Sequence, residues 1–190
     1  MCSSQSKIDI LFEIYKDSRT VFRISDIALL TNSNDTLLYQ KLNRLVKKGK
    51  LLNIRKGIYA KEGYKPEELA CLLYVPTYIS LAYVLQRSGI IFQYDSAITN
   101  ISYLNREILV NEQSIQYRQI KDEVLLNTNG IINKNNTNIA TPERAFLDTL
   151  YLNGFFYFDN IEQLDINKIY ELLPMYNSAS LIKETKKILN

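Results

Sequence analysis

Residues 21–60 read VFRISDIALLTNSNDTLLYQKLNRLVKKGKLLNIRKGIYA, short apolar runs separated by polar breaks. Ser25 and Asp26 after Ile24 make a helix start. A seryl oxygen accepts from unpaired backbone N–H groups, and an acid suits the positive end of the helix dipole. Ile27, Leu29 and Leu30 supply a short apolar stripe. The polar run Thr31-Asn32-Ser33-Asn34-Asp35 ends that helix and opens a second. In the second, Leu38, Leu42, Leu45 and Val46 follow the i, i+4, i+7, i+8 rule and define a buried face. The opposite face carries Leu37, Gln40, Arg44 and Lys47, flanked by Thr36, Lys41, Asn43 and Lys48. Gly49 supplies a left-handed stop. Leu51 to Arg55 and Ile58 to Ala60 then read as two short strands around the turn Lys56-Gly57. Two helices followed by a basic hairpin is the order of a winged helix-turn-helix, which lays its second helix in a DNA groove.

The side chains on that outer face suit the task. Arg44 and Gln40 are able to form bidentate hydrogen bonds with guanine and adenine edges, and Leu37 suits a thymine methyl. Lys41, Lys47, Lys48, Arg55 and Lys56 suit phosphate, which positions a protein without reading sequence. Thr36 and Asn43 complete the candidate DNA-binding set. A Lys-rich helix alone reads as a solvated face; here helix start, turn, charge and hairpin agree. The competing reading is a winged helix used for protein contacts.

Charge is divided unevenly along the 190 residues. Residues 1–65 hold 13 Lys/Arg against 6 Asp/Glu, a net of +7, and the remainder nets −4. A basic head on a mildly acidic body is expected when only the head meets nucleic acid. With no histidine in the chain, Ser-His-Asp and Cys-His catalysis and histidine metal sites are excluded. The six glycines are scattered singly and form no phosphate loop. Asp122-Glu123 and Asp165 lack the closely following lysine of a metal-dependent nuclease. The expectation is no enzyme, no cofactor and no metal. Cys2 and Cys71 suggest neither a disulfide framework nor a metal site, and a reducing compartment fits them. The start MCSSQSK lacks an apolar leader core, and no run approaches the ~18 apolar residues of a membrane span. A cytoplasmic protein without membrane contact is expected.

Gly63 and Pro66 punctuate the border between head and body, giving domains 1–63 and 64–190. Pro66-Glu67-Glu68 opens a helix to Leu73, Pro76 breaks the chain, and Ser80 caps a helix over 81–87 ended by Gly89. The period then changes to two over 97–103, 106–110 and 114–120, with Asn111-Glu112-Gln113 as a hairpin turn. Ile131-Ile132 and Asn138 to Ala140 flank a second hairpin loop. Helices follow over 142–152, 167–173 and 178–189. The fold class is α+β: a winged helix-turn-helix followed by a mixed α+β domain.

Three phrases resemble one family. Gly49-Lys50-Leu51-Leu52-Asn53-Ile54-Arg55-Lys56-Gly57-Ile58-Tyr59 is similar to the end of the winged helix in AbiEi-family antitoxins. Pro76-Thr77-Tyr78-Ile79-Ser80-Leu81-Ala82-Tyr83-Val84-Leu85 and Ile139-Ala140-Thr141-Pro142-Glu143-Arg144-Ala145-Phe146-Leu147-Asp148 resemble two further blocks of that family, in its order and spacing. The resemblance covers residues 7–155, and Ser88 stands where family members often carry histidine. It implies an antitoxin of a type IV toxin-antitoxin system, encoded beside a nucleotidyltransferase-like toxin and acting without a required stable complex. It also implies repression of its own operon through promoter DNA and a part in abortive phage defence. The alternative is a free-standing winged-helix transcriptional regulator whose body senses a ligand or dimerises.

In the body, Glu143, Arg144 and Asp148 share one helix and are the candidate surface for antitoxin action. Their plainer reading is helix capping, an i, i+4 ion pair and a tie to the neighbouring sheet. Phe155, Phe156, Tyr157 and Phe158 read as core ahead of a ligand pocket, and Tyr78 and Tyr83 as packing ahead of a partner groove.

Overall fold

A computed structural model describes residues 9–33 and 35–189, and for Asp35 and Thr36 the backbone alone. The side chain of Thr36, and Cys2 and Asn34 entirely, lie outside the described residues. The chain is α+β and divides into two compact units, Met1–Leu72 and Leu73–Asn190.

In the first unit α1 (Ile10–Lys16), β1 (Val21–Arg23), α2 (Ile24–Thr31) and α3 (Asp35–Lys47) precede a hairpin of β2 (Leu52–Arg55) and β3 (Ile58–Ala60). The strands form an antiparallel sheet in the order β1-β3-β2. Ile10, Ile14, Phe22, Ile27, Leu38, Leu42, Leu51 and Tyr59 make one buried cluster, with Leu45 and Val46 packed at its edge. The helical period of α3 therefore points the face it encodes into this core. Gly49, at φ +65°, closes α3 as its sequence position requires. Lys50 N–H donates to Leu45 O and Gly49 N–H to Val46 O, each at 2.9 Å, which is the Schellman arrangement.

Two details differ from the sequence reading. Helix α2 begins at Ile24, so Ser25 lies inside its first turn; the Asp26 carboxylate performs the capping by accepting Arg23 N–H at 2.9 Å. Leu29 does not join the apolar stripe and is 83% exposed, whereas Ile27 is fully buried. Helix α1 and strand β1 were not anticipated.

The border between units lies beyond Gly63 because α4 (Pro66–Leu73) is bound to the head. The nearly buried Glu68 accepts Thr20 N–H at 2.6 Å and Thr20 Oγ1 at 2.8 Å. Nearby, Asp17 and Arg19 pair through two parallel contacts, Nε–Oδ1 at 3.0 Å and Nη2–Oδ2 at 2.7 Å. The Arg19 hydrogen bond holds the Asp17 carboxyl below its ordinary value, against the opposing effect of burial. A depressed carboxyl stabilises the fold above its unfolded value, and that contribution is lost as pH falls through the folded value. Because the pair is partly exposed, Asp17→Asn is expected to cost only about 0.5–1 kcal/mol at neutral pH. Thermal melts of the two chains should converge as acid protonates the Asp17 carboxyl.

The second unit is built on a mixed six-stranded sheet in the order β6-β7-β5-β4-β9-β8. Its strands are β4 (Thr77–Ile79), β5 (Ile98–Ser102), β6 (Arg106–Val110), β7 (Gln113–Gln119), β8 (Ile131–Lys134) and β9 (Thr137–Ala140). The β4/β9 and β5/β7 pairs are parallel and the others antiparallel. Both hairpins turn on two residues of positive φ, Asn111-Glu112 and Asn135-Asn136, matching the twist of the strands they join. The second loop is thus shorter than the five residues its sequence suggested, because β8 and β9 pair up to Lys134 and Thr137.

Helices α5 (Ala82–Arg87), α6 (Asp122–Leu125), α7 (Pro142–Asn153), α8 (Ile166–Leu172) and α9 (Ala179–Leu189) complete the unit. Helix α7 lies against α5, α8 and α9 and is buried from Glu143 to Leu150. Ser80 does not cap α5, since its hydroxyl turns to Asp148 at 2.7 Å. Of the four aromatics after Gly154, only Phe158 is core; Phe156 is half-buried, and Phe155 and Tyr157 are 67% and 73% exposed. Tyr78 and Tyr83 are buried as expected. No helix among the described residues is long and apolar enough to cross a membrane.

Candidate functional site

Burying Leu38 and Leu42 leaves the other side of α3 to solvent. Leu37, Gln40, Lys41, Asn43, Arg44, Lys47 and Lys48 are all exposed, as are Arg55 and Lys56 on the hairpin. The nine described candidates are thus all accessible side chains of one compact unit. Their electrostatics are uniform, since residues 36–61 hold eight Lys/Arg and no Asp or Glu. Among the described residues none of these Lys41, Arg44, Lys47, Lys48, Arg55 and Lys56 side chains pairs with a carboxylate. Cations left without internal partners raise a positive potential that polyanions complete. Arg44 and Lys47 also sit in the last turn of α3, where a cation suits the helix dipole. That accounts for two positions and leaves the hairpin charges without an internal purpose. Gly57, at φ +76°, makes the turn that presents Arg55 and Lys56.

The second candidate set is placed very differently. Glu143, Arg144 and Asp148 form no surface: they are 5%, 0% and 0% exposed. Thr141 opens α7 by accepting Arg144 N–H at 3.3 Å, and Glu143 turns back to accept Asp165 N–H at 3.3 Å. The Arg144 guanidinium lies inside the unit, with Nε 3.4 Å from Asp148 Oδ1. Its Nη1 donates to Asn129 O at 2.7 Å, and its Nη2 donates to Val124 O at 2.8 Å and Tyr78 Oη at 2.9 Å. Asp148 in turn accepts from Ser80 Oγ and Tyr176 Oη, each at 2.7 Å, and from Tyr78 Oη at 3.2 Å. One ion pair therefore ties α7 to β4, to the loop before β8 and to the turn at Leu173–Tyr176.

Burial raises the Asp148 carboxyl, against the pull of Arg144 and the three hydroxyls. Burial, and then the Asp148 charge, push the Tyr78 and Tyr176 hydroxyls upward as well. Both tyrosines keep their protons in neutral solution and act as donors to Asp148. Gly130 sits where a Cβ would lie 3.0 Å from Arg144 Cβ and from Leu172 Cδ1, so its backbone comes this close to α7 and α8 only because no side chain intervenes. With Arg144 and Asp148 both fully buried, the cluster is a structural tie between elements. Tyr176 was absent from the sequence reading, and Tyr78 and Ser80 were read there only as packing and as a cap. The signal available was the i, i+2 spacing of Tyr78 on β4 and Ser80 just after it, which in an extended chain puts both on one face.

No three His, Cys, Asp or Glu side chains gather as a metal site among the described residues. No protein-family model matches the chain, and no curated protein matches it.

Proposed function

We propose that the head is a winged helix-turn-helix that binds the chain's own promoter, and that the chain is the antitoxin and autorepressor of a type IV system. The observation that carries the DNA half is the exposed basic face of α3 continued by the hairpin, with no acid between residues 36 and 61. The order α1-β1-α2-α3-β2-β3 and the antiparallel sheet β1-β3-β2 support it, since the fold needs a second helix to offer and a hairpin beside it. In this reading Gln40 and Arg44 meet base edges, Leu37 a thymine methyl, and Lys41, Lys47, Lys48, Arg55 and Lys56 the phosphates. The antitoxin half rests on the three blocks that resemble AbiEi-family antitoxins, and its functional partner is a nucleotidyltransferase-like toxin. The body opposes that toxin by a surface other than Glu143, Arg144 and Asp148, which are buried.

A titration of the chain against its upstream promoter and a scrambled duplex, at two salt concentrations, tests the DNA half. Promoter-preferring binding is expected, weakening with salt by a log–log slope near −0.9 per phosphate contacted. Equal, weak binding to both duplexes overturns the repressor reading. Co-expression with the neighbouring toxin gene tests the other half, with restored growth as the expected result.

A further inference from the structure

The second unit holds a hollow of about 140 Å³ between one face of its sheet and the end of α7. Thr99 of β5 and Gln116 of β7 are register partners in a parallel pair, so with Arg118 they share that face. The floor is mostly apolar, although two threonines, Gln116 and Asn153 also line the hollow. Thr99 Oγ1 is committed, donating to Ser80 O at 2.6 Å and accepting Tyr83 N–H at 3.0 Å, and Thr149 Oγ1 donates to Ala145 O at 2.8 Å. Leu81, Leu152 and Phe156 complete the wall.

The mouth is charged. Arg118 lines the hollow and is exposed, and among the described residues no carboxylate pairs with it. Asp95 lines the same hollow, yet its Oδ1 accepts Ala97 N–H at 2.8 Å instead of bridging to Arg118. A guanidinium with its donors free beside an apolar floor is an arrangement that a ligand completes. Leu81 adds a second observation: its backbone, at φ +60° and ψ −141°, occupies a region otherwise nearly confined to glycine. The two Thr99 hydrogen bonds, and Ser80 N–H donating to Thr99 O at 3.0 Å, hold that turn in place. The strained residue is thus kept where its side chain forms the wall. Aromatic rings lie beside lining residues in the chain: Tyr94 next to Asp95, and Phe155 and Tyr157 either side of Phe156, all exposed.

We infer that this hollow binds a small organic anion, with a body of about one ring on the apolar floor and a carboxylate or phosphate head on Arg118. The volume sets the body, because it is close to the ~150 Å³ of engineered protein hollows that admit benzene and well below the ~300–1,000 Å³ of larger ligand sites. The site does not depend on the DNA reading.

Four probes with a common ring separate the possible heads: phenyl phosphate, 3-phenylpropionate, phenylalanine and the neutral benzyl alcohol. Each is titrated into the full chain at millimolar concentration while amide resonances of Thr99, Gln116, Arg118 and Leu152 are followed. Saturable shifts with an anionic probe, and at least tenfold weaker binding of benzyl alcohol, are expected. Preference for phenyl phosphate assigns a phosphate head, for 3-phenylpropionate a carboxylate, and for phenylalanine a zwitterion whose ammonium group meets Asp95. Arg118→Gln, a change at an exposed position, is expected to weaken the anion about tenfold, and Ala82→Leu to abolish binding by filling the hollow, with melting temperatures reporting that both fold. Absence of shifts at these amides with every probe overturns the inference, as does binding that neither substitution alters.

Discussion

Replacing Arg144 with alanine is expected to destabilise residues 73–190 by about 3–5 kcal/mol, the cost of breaking a buried ion pair from one side. The large figure follows from what remains behind. Asp148 stays fully buried without its counter-charge, and the carbonyls of Val124 and Asn129 lose the donors that satisfy them. The sign of the pH dependence distinguishes this from simple loss of packing. Arg144 lowers the Asp148 carboxyl, so removing it lifts a value that burial has already raised. A carboxyl raised above its unfolded value weakens the fold at high pH, and the penalty is relieved as acid protonates it. Urea melts of Arg144→Ala should therefore lie furthest below the native chain at neutral pH and approach it as the solution is acidified. A deficit that is constant across that range would mean that Asp148 is not the group left unpaired. Asp148→Asn, which keeps an acceptor for Ser80 and Tyr176 but strands the guanidinium, should also destabilise the unit, without the recovery in acid.

The i, i+4 spacing of Arg144 and Asp148 is identical on an exposed and a buried helix, which is why spacing alone suggested a surface. The deciding information lay around the pair. Ala145, Phe146, Leu147 and Leu150 carry the apolar character of α7 around most of its circumference, and a helix apolar all round is an interior one. Tyr176, by contrast, reaches Asp148 from 28 residues further along, and no local pattern announces that contact. Ser80 shows the same competition from the other side. As a polar residue before a helix it reads as a cap, but an acceptor 68 residues away takes its hydroxyl. Local rules succeeded where the outcome is local: the period of α3, the Gly49 stop, the Pro142 start and the Lys56-Gly57 turn all depend on neighbours within a few positions. They failed on short elements. Strands β1 and β4 have three residues each, too few to display a period; β1 pairs with the equally short β3, and β4 with the longer β5 and β9. Helix α1 left a weak trace in Asp9, which caps it by accepting Leu11 N–H at 3.0 Å, and in the i, i+4 pair Ile10 and Ile14.

The basic face was legible for the same reason that α3 was, since a helix with one side committed to the core exposes the other. The use proposed for it, in a DNA groove, has a direct consequence at Arg44. The side chain is exposed and pairs with no carboxylate among the described residues, so Arg44→Ala should leave the melting temperature nearly unchanged. Promoter affinity should nevertheless fall by about 1–3 kcal/mol, roughly 5- to 150-fold, with one base position becoming tolerant of substitution. Arg44→Lys should not restore it, because an ammonium group cannot form the planar two-point contact with guanine. Lys56→Ala should behave differently: affinity for promoter and random duplex falls together, and the salt slope flattens by about 1. The pair of variants separates reading from holding. If Arg44→Ala changes only the salt slope, α3 lies along the phosphates and its bases are read by another element. If both variants bind as the native chain does, neither α3 nor the hairpin faces DNA, and the exposed cations of residues 36–61 serve a different polyanion.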